Sequence, residues 1–305
     1  MSLERRDFLK LCAGTVAGLG LSQVFHPGLV MALEQAAKKA PVIWIQGQGC
    51  TGCSVSLLNS VHPSIKEILL KIISLEYHPT VMGAEGELAL EHMYAVAEKY
   101  KGKFFLAVEG SIPKAAQGKY CIVGELGHRE ITMLELVQEL GKKAAATLAL
   151  GACACFSAGI PGAEGNLTEA TSVTGIFKEN KISTPVINVP GCPPHPDWMV
   201  GTIAHVLMYG IPELDDNGRP KLFYGRNVHE NCPYRGYYED ENFSKTFTQK
   251  QGCRYNLGCK GPVANCDAWK RHWNNGVNWC VENAVCIGCV EPGFPDDMSP
   301  FYESL

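Results

Sequence analysis

The sequence predicts an α/β chain. A doubly wound parallel sheet spans residues 40–211, and a cysteine-rich segment, 212–305, follows with little periodicity. Three observations predict this. Short apolar runs alternate with amphipathic helical stretches from residue 41 onward. After Ile211 the composition turns to Pro, Gly, Asn, aromatics and Cys. Seven of the fourteen cysteines lie between Cys232 and Cys289.

The elements follow in order. Pro41 to Gln46 reads as a buried strand. His62 to Ile73 reads as a helix, with Pro63 in its first turn and Ile65, Ile68, Leu69 and Ile72 on one face. Leu75 to Val81 gives a second strand, Glu85 to Tyr100 a helix, and Phe104 to Val108 a third strand. Glu130 to Lys143 is helical, and Thr147 to Leu150 and Pro185 to Val189 are strands. Pro196 to Tyr209 closes the pattern as a helix, with Met199, Ile203, Val206 and Leu207 at helical spacing. The segment 212–305 is too poor in regular structure to bury much alone, so it needs cofactors or a partner.

Residues 1–32 read as a processing segment. Arg5-Arg6-Asp7-Phe8-Leu9-Lys10 precedes an apolar, Gly-rich run from Leu11 to Val24, the pattern of twin-arginine export to the periplasm. Gly14, Gly18 and Gly20 break that run, which is too short for a spanning helix of roughly 20 residues. Cys12 within it is given no role. No transmembrane anchor is expected in this chain, so any membrane association would run through a partner. A hydrophobic content of 46% allows a normal core, and a net charge of -4 argues against nucleic acid as a partner. Fourteen cysteines in 305 residues fall well below the density of disulfide scaffolds, roughly 8–10%.

The cysteines map onto strand ends. Cys50 and Cys53 follow the first strand, Cys153 the strand ending at Leu150, and Cys192 the strand ending at Val189. Sites in open α/β sheets form beyond the carboxyl ends of the strands. Four thiolates there suit a 4Fe–4S cluster or a zinc ion, and spacing alone does not separate them. Gly47-Gln48-Gly49-Cys50-Thr51-Gly52 also fits a dinucleotide fingerprint, with Glu76 as its ribose acid. Two cysteines where pyrophosphate should approach weigh against that reading. The later cysteines supply further groups: His229 and Cys232 with Cys253 and Cys259, then Cys266, Cys280, Cys286 and Cys289. Cys121 and Cys155 read as small buried side chains.

These residues together resemble the small, electron-transferring subunit of nickel–iron hydrogenases. The landmarks are Cys50-Thr51-Gly52-Cys53-Ser54, Gly151-Ala152-Cys153 and Pro190-Gly191-Cys192-Pro193-Pro194-His195-Pro196. Later come His229-Glu230-Asn231-Cys232-Pro233, Gly258-Cys259-Lys260-Gly261-Pro262, and Asn278-Trp279-Cys280 with Cys286-Ile287-Gly288-Cys289.

The resemblance implies a flavodoxin-like domain followed by an irregular, iron–sulfur-cluster-binding domain. It implies a proximal cluster on Cys50, Cys53, Cys153 and Cys192, and a distal one on His229, Cys232, Cys253 and Cys259. Cys266, Cys286 and Cys289 would belong to the medial cluster. It also implies a heterodimer with a large subunit that holds the nickel–iron centre, and electron exchange with a carrier such as a multihaem c-type cytochrome. No catalytic residue for the hydrogen chemistry is carried over to this chain. The alternative is a stand-alone iron–sulfur electron carrier.

Two departures refine the resemblance. Most of the family has proline where this chain has Cys280, and a three-iron medial cluster. Many relatives have Glu where this chain has Gly49 and Val55. Cys280 and the Gln46-Gly47-Gln48-Gly49 run together resemble the nickel–iron–selenium branch. Oxygen-tolerant relatives carry an extra cysteine where Gly52 stands, so an ordinary proximal cluster is expected. Cys280 completes a fourth thiolate, so three 4Fe–4S clusters are expected, the medial one at lowered potential. Electron paramagnetic resonance of the oxidised protein checks this: a stoichiometric 3Fe–4S signal is incompatible with it.

Overall fold

The computed structural model describes residues 40–156, 165–271, 280 and 284–303. Arg5, Arg6, Cys12, Asn278 and Trp279 lie outside the described residues. The sheet has five parallel strands: β1 (Ala40–Gln46), β2 (Ile73–Tyr77), β3 (Phe105–Glu109), β4 (Ala146–Leu150) and β5 (Val186–Val189). Their order is β2-β1-β3-β4-β5, the flavodoxin-like arrangement. The winding reverses between β1 and β3, which opens a crevice beyond their carboxyl ends.

Helices cover both faces, so the strands are apolar runs rather than alternating ones. Every residue of β3 and β4 is buried. On one face, Val42 and Trp44 pack with residues of α1 (Gly52–Leu58), α2 (Ile65–Glu67, widening into Ile68–Ile72) and α7 (Pro196–Tyr209). On the other, Ile43 and Ile45 pack with α3 (Gly86–Lys99), α4 (Met133–Gly141), α5 (Ala152–Phe156) and α6 (Val173–Glu179).

Three boundaries differ from the sequence expectation. Ser64 and Glu67 form a reciprocal capping box, so α2 starts at Ile65 and Pro63 lies before the cap. The predicted helix then ends at Ile72, and β2 runs from Ile73 to Tyr77 rather than from Leu75 to Val81. Residues 130–132 are not helical. They belong to an antiparallel hairpin, Ile122–Leu126 with Arg129–Thr132, turning at Gly127 in the left-handed region. The Thr132 hydroxyl accepts from the Glu135 N–H and starts α4 at Met133.

The cysteine-rich segment builds no sheet of its own among the described residues. Short helices, α8 (Lys221–Tyr224) and α9 (Arg235–Glu239), alternate with single 3-10 turns. Phe223, Tyr224, Val228, Ala264, Cys266, Cys286 and Val290 join the apolar cluster around Trp44 and Trp198. Buried charges hold the segment in place. Arg219 donates to Asp215 at 2.7 Å, to Glu291 at 3.1 Å and to the Val290 carbonyl at 2.9 Å. Arg271 donates to Asp267 and, at 2.7 Å, to Asp197 on α7; the Trp198 indole also donates to Asp267 at 2.7 Å.

Met93 on α3 is 0% exposed, so Met93→Ala should cost about 2–5 kcal/mol. Leu88 on the same helix is 67% exposed, and Leu88→Ala should change stability by less than about 0.5 kcal/mol. Chemical denaturation of the two variants side by side checks the assignment of that face.

Candidate metal centres

The first centre is built where the loops after β1 and β3 pair. Gln48 and Ser111 exchange backbone hydrogen bonds at 2.9 and 2.8 Å. A Cβ on Gly47 would stand 2.4 Å from the Ser111 carbonyl oxygen, so only glycine permits this approach. The pairing delivers Glu109, 3% exposed, to the start of α1. Its carboxylate accepts from the Cys53 and Ser54 N–H groups at 3.0 and 3.2 Å and from the Trp44 indole at 3.0 Å. Gln46 and the Ser54 hydroxyl donate to it at 3.1 and 2.5 Å.

This arrangement removes the dinucleotide reading. The protein's own carboxylate occupies the helix start where a pyrophosphate would lie. Gly47 serves the loop pairing instead, and Glu76 is engaged by the Ser74 hydroxyl at 2.7 Å and by His92 at 3.5 Å.

A hydrogen-bond chain supports Glu109 from behind. The Thr80 N–H donates to His78 Nδ1 at 3.1 Å, which leaves the proton of the neutral ring on Nε2. That nitrogen donates to Ser54 Oγ at 3.1 Å, and Ser54 donates onward to Glu109. Burial pulls the His78 pKa down and keeps the ring neutral.

Cys50, Cys53, Cys153 and Cys192 gather at this edge. The Ala152 N–H donates to the Gly191 carbonyl at 3.0 Å, tying the β4 exit to the β5 exit. Ser56 on α1 donates to the Pro194 carbonyl at 2.7 Å, and Ser111 to the Cys153 carbonyl at 3.1 Å. Gly151 has φ +83°, and a Cβ there would stand 2.5 Å from Cys53 Sγ. Burial raises the Cys53 thiol pKa strongly, with Glu109, Cys153 and Cys50 adding to it. Burial, then Cys50, does the same at Cys192. Cys50 and Cys192 are exposed in this chain.

The remaining ligand candidates form a continuation. His229, Cys232, Cys253, Cys259 and Cys280 line one cavity of about 30 Å³, above the roughly 10–15 Å³ that admits a single water. Burial, then Cys289 and Cys259, pushes the Cys280 thiol up to about 12. Cys280 therefore faces both later sets. Burial raises Cys266, with Cys280 and Cys289 adding to it, and burial raises Cys286 likewise, with Cys280, Cys259, Cys266 and Cys289 adding to it. Cys289 is pushed up to about 11 by burial and senses Cys192 of the first set.

The donor sets fit iron–sulfur cores. All are soft thiols apart from one imidazole, and backbone N–H groups already point at sulfur: Tyr234 to Cys232 at 3.5 Å and Gly261 to Cys259 at 3.4 Å. Burial, then Arg235, lowers the His229 pKa and favours the neutral ring that ligates metal.

Cys155 points away, donating to the Ala149 carbonyl at 3.2 Å within the opposite core. Cys121 packs, half-buried, against that same core. Sequence reasoning missed Glu109, Ser54 and His78. The available signal was a lone carboxylate ending a wholly apolar strand.

Glu109→Ala would strand three buried donors, each costing about 1–3 kcal/mol. Metal analysis after a chelator challenge should show this variant losing iron faster than the unaltered chain. Unchanged iron retention would contradict the role given to Glu109.

Comparison with known proteins places the chain. Residues 224–302 match the family model for the C-terminal part of the NiFe/NiFeSe hydrogenase small subunit. Residues 50–206 match that of NADH ubiquinone oxidoreductase, 20 Kd subunit. The periplasmic NiFeSe hydrogenase small subunit of Desulfomicrobium baculatum is 62% identical over 99% of both chains. The periplasmic NiFe hydrogenase small subunit of Solidesulfovibrio fructosivorans is 39% identical over 99% of this chain and 93% of that one. The NiFeSe hydrogenase structure from Desulfovibrio vulgaris Hildenborough superposes with a TM-score of 0.84 at 58% identity, covering 88% of this chain and 99% of that one. The chain belongs to the NiFe/NiFeSe hydrogenase small-subunit family.

Proposed function

We propose that this chain is the electron-transferring small subunit of a periplasmic NiFeSe hydrogenase, with a large subunit that holds the nickel–iron centre. Cys50, Cys53, Cys153 and Cys192 hold the proximal cluster. Cys266, Cys280, Cys286 and Cys289 hold the medial one, and His229, Cys232, Cys253 and Cys259 the distal one. Bound there, three 4Fe–4S clusters supply one-electron carriers. The domain division follows: 1–32 for twin-arginine export, 40–211 for the proximal site, and 212–305 for the other two.

The observation that carries this reading is the contiguity of the three sets. Cys280 lines one cavity with His229, Cys232, Cys253 and Cys259, and it packs with Cys53, Cys266, Cys286 and Cys289 in one apolar cluster. The chain's residues therefore line one route through the molecule. Cys266 and Cys286 are buried in its middle and keep water away from thiolate ligands there.

Both ends are suited to partners. At one end Cys50 and Cys192 are open, and Val55 and Leu58 on α1 are 53% and 38% exposed, an apolar surface for the large subunit. At the other, exposed Glu230 follows His229 and exposed Glu239, Asp240 and Glu241 close α9, where Arg235 pairs with Glu239; the acidic excess favours a basic carrier, such as a multihaem c-type cytochrome. Among the described residues no helix is long and apolar enough to cross a membrane.

Purification decides between this and a stand-alone carrier. The chain should isolate with a larger nickel- and selenium-containing chain, and should itself carry about twelve irons and as many acid-labile sulfides. Isolation alone with full clusters would overturn the reading.

A further inference from the structure

Lys260 is 3% exposed, an unusual burial for a lysine. It follows Cys259 of the proposed distal set. Its N–H donates to the Cys286 carbonyl, of the proposed medial set, at 2.7 Å. Its Cβ lies against Gly288, where an added Cβ would stand 3.5 Å away; Gly288 sits between Cys286 and Cys289. The ammonium donates to the backbone carbonyl of Glu303 at 3.2 Å. That carbonyl is neutral and does not cancel the charge.

A buried ammonium is costly unless negative charge lies near. The chemistry of the neighbouring donor sets supplies that charge. Thiolates outnumber the positive charge of an iron–sulfur core, so a loaded medial or distal site is anionic, and becomes more so on reduction. The residue is anchored between the two sets, by its place directly after Cys259 on one side and by the Cys286 carbonyl and Gly288 on the other. We propose that Lys260 is the shared counter-charge of the medial and distal sites, raising the midpoint potential of both. It is a positioning and electrostatic residue that touches no substrate. The inference rests on the ligand assignments proposed above.

The test is a potentiometric titration of the assembled complex, monitored by electron paramagnetic resonance. Lys260→Met and Lys260→Gln remove the charge, and Lys260→Arg keeps it. In both neutral variants the oxidised-to-reduced ratio of the medial and distal clusters, read at the wild-type midpoint, should rise about tenfold, or about 59 mV for a one-electron couple. The proximal ratio and the Lys260→Arg ratios should stay within about twofold of wild type. Loss of iron from the neutral variants alone also supports the proposal, because it shows the charge is needed to hold the anionic sites. Unmoved ratios, equal movement at all three clusters, or iron loss in Lys260→Arg as well would overturn it. A wild-type complex with fewer than three clusters would instead overturn the ligand assignments, and the inference with them.

Discussion

The buried carboxylate of Glu109 is the constraint on which the edge that gathers Cys50, Cys53, Cys153 and Cys192 depends. It ends β3 and reaches into the start of α1, 55 and 56 residues earlier in the chain, where it satisfies the Ser54 and Cys53 N–H groups together. Those N–H groups are orphan donors of a helix terminus and would otherwise need water. Thr51, which opens that helix, has φ +63° and makes no side-chain cap. An outside acceptor therefore replaces the usual local cap. The same carboxylate holds Trp44 and Gln46 of β1. One group thus fixes the position of Cys53 relative to two strands before any metal arrives.

The cysteine-rich segment solves a different problem. It has too little regular structure to make a core, so it borrows one. Its apolar residues complete the face of the sheet covered by α1, α2 and α7. Arg219 and Arg271 then fasten it by buried, multiply hydrogen-bonded ion pairs. Such pairs contribute little net stability against an apolar replacement, but breaking one leaves an uncompensated charge. They act chiefly to select one register of a segment that periodicity does not specify. Asp267, next to Cys266, and Glu291, two residues after Cys289, carry that selection directly to ligand candidates.

Legibility in the sequence followed the range of the forces involved. The five strands, α3 and α7 were readable because long apolar runs and 3.6-residue spacing are local. α1 was not, because Gly52-Cys53-Ser54-Val55-Ser56 has no apolar stripe and its start is set by Glu109 from far along the chain. α5 has five residues, too few to show a period. α6 was readable and overlooked: Ser172 accepts from the Gly175 N–H, and Val173, Ile176 and Phe177 share one face. The hairpin over residues 122–132 is largely exposed, and Ile122, Val123, Leu126 and Ile131 do not alternate with polar residues, so neither periodicity nor a buried run marked it. Among the site residues, the cysteines were legible as residue types. Their grouping came from family resemblance, and their supporting network came only from the fold.

Burial along the row of thiols has a consequence for electron flow. The middle positions, Cys266 and Cys286, are closed off, while the ends open at Cys50 and Cys192 on one side and at the half-buried His229 loop on the other. A low-dielectric middle strengthens every charge placed there. Bulk water can screen the open ends, and a partner can cover them. In the proposed ligand sets the chain's own fixed charges should therefore dominate the potentials of the enclosed ones, while the terminal ones respond more to whichever protein docks on them. The buried carboxylates and cations of the second half, Asp267, Glu291, Arg271 and Lys260, all lie where that middle is built. The residues that pack this segment are thus also placed to set the electrostatic level of the route.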